Sequence, residues 1–329
     1  MRRAIASGVV AASTHRIGPD LAEELPRGRV LAPALALGDA PRPAAEPPTF
    51  GRQGFPIAAE VKPTVEAVTA AVLPLIPAPP ASFALHVWVP DSDAANRLSG
   101  QAAELAEGVT KALGEAGARI VGAYELHDPD EPIVQVCLAE PGRAYVGALS
   151  RGRTVSTWPG GRARMKVPSG APSRATSKLA EAMAWIGYGP ESGDVCVDLG
   201  AAPGGWTWLL LRRKARVIAV DRANLQPDIA RDRKVLHLRD NAFTFRPDEA
   251  ADWLFCDMVW KPAEVAKLLA QWGQKHWARY LVSNIKLPMK RRLPVVNEVK
   301  RTLVAAGWRD VRSRQLYHDR DEITLHARR

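Results

Sequence analysis

Three cysteines, Cys137, Cys196 and Cys256, are too few and too scattered for a disulfide framework or a zinc site. Two of them sit in apolar, strand-like runs, which reads as buried, reduced thiols in a cytoplasmic protein. Long apolar runs are also missing: none approaches the roughly 20 residues that a bilayer span requires. The opening Met1-Arg-Arg-Ala-Ile-Ala-Ser-Gly imitates a secretion leader. Ser7 and Gly8 interrupt its apolar part, however, and Gly18-Pro-Asp20-Leu-Ala-Glu-Glu reads as a helix start inside a domain. No internal repeat is visible, which sets solenoids aside. What remains is a globular chain of 329 residues, 47% apolar, with material for about two domains.

Negative charge is scarce in one half only. Residues 1–150 hold 12 Lys+Arg against 17 Asp+Glu, a balance of −5, while residues 151–329 hold 33 against 18, a balance of +15. Basic clusters at Arg151/Arg153, Arg162/Arg164/Lys166 and Lys290/Arg291/Arg292 give the second half the electrostatic footprint of a nucleic-acid binder. The plainer alternative is a set of solvated surface charges.

Two proline-dense segments, Pro33 to Pro56 and Pro74 to Pro80, read as loops or linkers, since proline interrupts both ladders and helices. A strand is expected over 83–89, an alanine-rich helix over 96–116, and strands over 119–126 and 133–138, together a small α+β unit. A short helix at 177–187 then leads into an alternation of strands (195–200, 216–221, 235–240, 252–258, 279–287) and helices (204–213, 261–276, 294–306). Such alternation predicts a mostly parallel sheet with crossover helices. Residues 309–318 and 322–328 close the chain as an antiparallel hairpin.

The most informative stretch is Val195-Cys-Val-Asp198-Leu-Gly200-Ala-Ala202-Pro203-Gly204-Gly205-Trp206, a strand that breaks into a small-residue turn and opens a helix. The following strand ends in Asp221, 21 residues after Gly200, where a bound nucleoside offers its ribose hydroxyls. The turn lacks what a pyrophosphate needs, because Ala202 stands at the second glycine of a dinucleotide fingerprint and Pro203 has no N–H. Its glycines still admit a phosphate-free ligand close to the backbone, which fits S-adenosylmethionine.

Ligands of open α/β sheets sit at the carboxyl ends of the strands. Asp257 ends Trp253-Leu-Phe-Cys-Asp, and Lys286 ends Tyr280-Leu-Val-Ser-Asn-Ile-Lys; Lys178 lies on the entering helix and Glu322 in the terminal hairpin. Taken singly, each is also readable as an ordinary surface charge. The segments Pro172-Ser-Arg-Ala-Thr-Ser-Lys178-Leu, Asp198 to Trp206, Cys256-Asp257-Met-Val, Asn284-Ile-Lys286-Leu-Pro-Met-Lys290 and Gln315-Leu-Tyr-His-Asp-Arg-Asp-Glu322 carry a resemblance in order along the chain. From about residue 172 onward the sequence resembles the FtsJ-like ribose 2′-O-methyltransferases, and within them those that modify a cytidine of large-subunit ribosomal RNA.

That resemblance implies a catalytic tetrad of Lys178, Asp257, Lys286 and Glu322, with Lys286 as the base, Asp257 orienting it near the methyl donor, and Lys178 and Glu322 holding the hydroxyl and the lysine. It also places Gly200, Ala202, Pro203, Gly204, Gly205 and Trp206 around the amino-acid tail of S-adenosyl-L-methionine and Asp221 at its ribose. Asp257 lines the same site, and either Asp240 or Asn241 meets the adenine. No metal is required. The implied fold is a Rossmann-like α/β methyltransferase sheet over 172–329, preceded by a Pro-rich region 1–80, a THUMP-like α+β region 81–150 and a basic linker 151–171. The implied partner is RNA, as large-subunit ribosomal RNA or its precursor particle. Rival readings are methylation of another RNA or of a small-molecule hydroxyl, and a non-catalytic RNA-binding assembly factor.

Overall fold

The computed structural model describes residues 8–13, 17–39, 47–78, 81–165 and 168–329, which separate into two compact units, Met1–Arg162 and Ala163–Arg329.

In the first unit, β1 (Gly8–Ala12), α1 (Gly18–Glu24), β2 (Arg29–Ala32), β3 (Leu35–Asp39) and β4 (Gln53–Pro56) form an antiparallel sheet of order β2-β3-β1-β4 with one helix. The expectation of loops between Pro33 and Pro56 is corrected here. Pro33 falls in the turn between β2 and β3, and Pro56 is the last residue of β4. Proline at such ends leaves Leu35–Asp39 free to pair. Pro41 and Pro43, like the leader-like residues 1–7, lie outside the described residues.

The rest of this unit is β5 (Ala59–Val61), α2 (Val65–Val72), β6 (Ser82–Trp88), α3 (Asp93–Asn96), α4 (Ser99–Glu115), β7 (Arg119–Ile120), β8 (Pro132–Glu140) and β9 (Arg143–Ser150), in a sheet of order β5-β9-β8-β6-β7. Val68, Val72, Leu105, Val109 and Leu113 of α2 and α4 bury against Val134, Val136 and Val146. The helix expected over 96–116 is α4, and the short α3 precedes it, parted from it at Arg97–Leu98. The strand expected over 119–126 stops at Ile120, where Glu125 N–H turns back to Gly122 O. β9 was not anticipated; it pairs with β8 across a turn in which Gly142 has φ +85°. Residues 151–162, expected within a linker, are tied to this unit. Gln53 donates to Ser156 O at 2.8 Å, and Arg162 donates to Pro90 O at 2.9 Å.

The second unit contains α5 (Ala175–Ile186), β10 (Val195–Leu199), α6 (Gly205–Arg212), β11 (Arg216–Val220), α7 (Pro227–Ala230), β12 (Val235–Leu238), β13 (Ala251–Cys256), α8 (Pro262–Gln274), β14 (Ala278–Lys286), α9 (Arg292–Ala305), β15 (Arg309–Arg314) and β16 (Glu322–Arg328). The sheet runs β12-β11-β10-β13-β14-β16-β15; β10 to β14 pair in parallel, and β16 is antiparallel to both of its neighbours. Its central strands are mostly apolar, as strands covered by helices are, with Asp198 in β10 and Ser283 and Asn284 in β14 as buried polar exceptions. Leu179, Ala182, Trp206 and Leu210 of α5 and α6 bury against Cys196, Val217, Ala219 and Phe255. The terminal hairpin and the glycine stop of α9, Gly307 at φ +88°, match the reading of the sequence.

Strand order reverses between β10 and β13, and the crevice beyond their carboxyl ends is where such a sheet receives a ligand. Among the described residues, no helix is long and apolar enough to cross a membrane, and no group of His, Cys, Asp and Glu is placed to hold a metal.

Candidate active site

Four chain segments bring four charged side chains to these strand ends. Lys178 projects from the first turns of α5, Asp257 follows β13 directly, Lys286 is the last residue of β14, and Glu322 is the first of β16. The antiparallel register sets Lys286 directly opposite Glu322.

The resulting ion-pair chain is continuous. Lys178 Nζ lies 3.4 Å from both Asp257 carboxylate oxygens and donates to Glu322 Oε1 at shorter range; Lys286 Nζ lies 2.7 Å from Glu322 Oε2. Glu322 is 1% exposed and Lys286 is 34% exposed, so the buried carboxylate is shared between two amines, one of which faces outward. Burying a carboxylate costs several kcal/mol unless it is paired, and here both oxygens are. Asp257 pairs with Lys178, while the direct partner of Lys286 is Glu322, the residue across the ladder.

Charge states follow from burial and pairing. Burial pushes the Lys178 ammonium down, but Asp257 and Glu322 together outweigh it, and the net shift is upward. Burial raises the Asp257 carboxyl, opposed by Lys178 and reinforced by Glu322.

The loop before Glu322 is fastened to α5 by a residue that reading the sequence missed. Glu181, buried one turn after Lys178, accepts from Tyr317 N–H at 2.7 Å and His318 N–H at 2.9 Å, and its Oε2 lies 2.7 Å from His318 Nδ1. Asp319, also buried, accepts from Leu316 N–H at 3.0 Å and the Thr324 hydroxyl at 2.9 Å. Burial, reinforced by Glu322, raises the Asp319 carboxyl well above the usual range. The motif Gln315 to Glu322 marked the segment, but nothing local to it announces a partner 136 residues earlier in the chain, on α5.

The crevice side is built from the small-residue turn. Gly200 has φ +79° and Gly204 φ +114°, conformations that disfavour any side chain. A Cβ on Gly200 would lie 2.8 Å from Met258 Cγ, and one on Gly204 2.6 Å from Ile229 Cδ1. The Ala202–Pro203 peptide is cis. Asp221 accepts from Ala202 N–H at 3.0 Å and Ala223 N–H at 2.8 Å, one on each oxygen, so each keeps a lone pair for a ligand hydroxyl. Asn241 Oδ1 accepts from Phe243 N–H at 3.1 Å, and Asp240 Oδ1 from Asn241 N–H at 2.6 Å.

Trp206 does not line the crevice with its ring. It is buried, meets Phe255 edge-on at 6.1 Å, and donates from Nε1 to Ala175 O at 3.0 Å. Its place in the motif is therefore to lock α5 to α6; only its backbone is available to a ligand. Asp198, on the strand leading into the turn, is fully enclosed and accepts from the Thr207 hydroxyl at 2.7 Å, and burial raises it to about 7.

The residues present fit an S-adenosylmethionine-like ligand. Gly204 at the N-cap of α6 supplies no capping side chain, and Asp198 takes the Thr207 N–H, which leaves the N–H groups of Gly205 and Trp206 for a carboxylate. The Ser173 hydroxyl, buried and without a hydrogen-bond partner, lies where a Cβ on Gly205 would be.

Two members of the basic clusters are structural. Arg162 donates to Val89 O, Pro90 O and Asn96 Oδ1, and Arg292 is buried at the start of α9, 3.9 Å from Asp321. Lys290 and Arg291 are exposed, and Lys166 lies outside the described residues.

Fold and site together define a methyltransferase of the FtsJ-like class, and the FtsJ-like methyltransferase family model matches residues 171–280. Over 291 residues the chain is 38% identical to ribosomal RNA large subunit methyltransferase M of Thauera aminoaromatica, spanning 84% of this chain and 78% of that protein. The protein of the same name from Halorhodospira halophila is 37% identical over 302 residues, 89% and 83% of the two chains. The one from Methylococcus capsulatus is 44% identical over 205 residues, 60% and 58%. The chain belongs to the ribosomal RNA large subunit methyltransferase M family. Among solved structures, fibrillarin of Aeropyrum pernix superposes at a TM-score of 0.36 with 16% identity, covering 63% of this chain and 86% of that one, a likeness too partial to bear on function.

Proposed function

We propose that this chain transfers a methyl group from S-adenosylmethionine to the ribose 2′-hydroxyl of a cytidine in large-subunit ribosomal RNA, in the cytoplasm. The observation that carries the reading is the ion-pair chain Asp257, Lys178, Glu322, Lys286, closed at the strand ends beside the crevice.

Bound in the crevice, S-adenosylmethionine supplies an electrophilic methyl group on a sulfonium. The residues that would hold it are the backbone of Gly200 through Trp206, with Asp221 toward the ribose and Asp240 or Asn241 toward the adenine. The acceptor is the harder partner, because a ribose hydroxyl attacks well only as its proton leaves. Lys286, the more exposed amine on Glu322, takes that proton as the oxygen–methyl bond forms. Glu322 tolerates both states of Lys286. While that amine is neutral the buried carboxylate is still compensated by Lys178, and once it is an ammonium the two meet at 2.7 Å. Asp257 fixes Lys178, whose remaining proton positions the hydroxyl oxygen in line.

The first unit, with its THUMP-like segment 81–150 and its acidic balance, serves RNA placement by shape through a local patch, or as a scaffold. Attraction to phosphate comes mainly from the basic second unit.

Mapping ribose methylation across total RNA tests this reading. Cells lacking the gene and cells carrying Lys286→Ala are both expected to lose methylation at one large-subunit ribosomal RNA position. Unchanged maps in either strain would overturn it.

A further inference from the structure

The loops leaving β13 and β14 emerge side by side, because Cys256 and Ser283 are register partners in adjacent parallel strands. Each loop follows a member of the ion-pair chain, Asp257 in one and Lys286 in the other. Three residues further on, each presents a large apolar side chain to solvent: Trp260 is 56% exposed and Met289 is 88% exposed. Neither has a part in the chemistry described above.

Trp260 is braced and still open. Its ring meets Phe243 at 5.6 Å and 56°, a tilted contact that steadies the indole without covering it. Lys261, Lys290 and Arg291 on the same two loops are exposed, and among the described residues none of them takes part in an ion pair. Segments 258–263 and 287–297 contain no acidic residue.

S-adenosylmethionine carries no phosphate, and its single carboxylate is matched by the N-terminus of α6 rather than by these cations. An aromatic face flanked by unpaired cations matches single-stranded nucleic acid, whose free bases stack on rings while its phosphates meet amines and guanidinium groups. A paired helix keeps its bases stacked on one another and offers no such face.

We propose that Trp260 is the stacking platform for an unpaired RNA base beside the ribose presented to Lys286, with Lys261, Lys290 and Arg291 on the flanking phosphates. The modified nucleotide is therefore single-stranded when methylated. This rests on the reading of the chain as an RNA methyltransferase.

The test uses the full chain as wild type, Trp260→Ala and Trp260→Phe. Affinity is measured for a labelled single-stranded RNA of roughly 20 nucleotides, for the same strand in a duplex, and for S-adenosylhomocysteine, alongside methylation of ribosomal RNA transcripts. Trp260→Ala is expected to weaken single-strand binding at least about fivefold, the lower end of what a stacked base contributes. It should raise KM more than it lowers kcat, with duplex and S-adenosylhomocysteine affinities unchanged. Trp260→Phe should recover most of the loss. Weakened S-adenosylhomocysteine binding with unchanged RNA binding would assign the indole to the donor pocket and overturn the proposal, as would a preference for duplex. If wild type methylates ribosomal RNA and Trp260→Ala is indistinguishable from it, the stacking assignment falls alone. If wild type neither binds nor methylates ribosomal RNA, the functional reading falls and takes the stacking assignment with it.

Discussion

Asp198 holds its proton more tightly folded than unfolded, since burial raises it from the usual 3.8 to about 7. A carboxyl raised in this way stabilises the folded state below about pH 4, and its contribution is lost as pH rises through about 7. Asp198→Asn does not titrate and keeps an acceptor for Thr207. Without donor, it is expected to exceed wild type in stability at pH 8 by on the order of 1–4 kcal/mol, and to lose that advantage at pH 4. Urea unfolding at both pH values checks this, and a difference independent of pH would refute it. At this scale the sequence was legible where residue type and chemistry coincide, as with Lys178, Asp257, Lys286 and Glu322. It was opaque where a side chain's place depends on what is packed against it: the Trp206 ring lies in the core against Phe255, and Arg162 and Arg292 read as surface cations but are bonded within the fold.

The element that governs the site is the segment 315–321, which delivers Glu322 to β16 and is strapped to α5 through Glu181. Glu181→Ala leaves the N–H groups of Tyr317 and His318 without their acceptor, at about 1–3 kcal/mol each if they stay buried. The expected outcome is a folded protein about 2–4 kcal/mol less stable, with kcat lowered ten- to hundredfold through misplacement of Glu322 and S-adenosylhomocysteine affinity unchanged. Thermal unfolding, turnover and calorimetry read the three separately; unaltered kcat would show that the strap is dispensable. The strands and helices of the second unit were readable because their apolar runs and crossover helices repeat a simple alternation. The short strands of the first 60 residues were not. β3 and β4 both pair with β1, distant from them in sequence, and the prolines that hide them sit at or beside their ends. β9 gives a weak pattern and exists because β8 and the turn at Gly142 offer it a ladder.

On the scale of the whole molecule, each unit has its own buried core, and the crevice lies within Ala163–Arg329. S-adenosylhomocysteine at a hundred times its Kd is therefore expected to stabilise that unit by about 2.7 kcal/mol. Hydrogen exchange should slow in β10, α6 and β11 and leave β6, β8 and β9 unchanged. Equal slowing in both units would mean that they unfold as one. The sheet order β14-β16-β15 also dictates a sequence of assembly. β15 leaves the ribosome before β16 but borders only β16, so it has no place on the sheet until the later strand wedges in ahead of it. Every segment that forms the crevice precedes residue 262, whereas the carboxylate shared by the two amines arrives sixty residues later. A chain still lacking its last strands thus already carries the residues assigned to the methyl donor, and commitment to chemistry coincides with the closing of the hairpin.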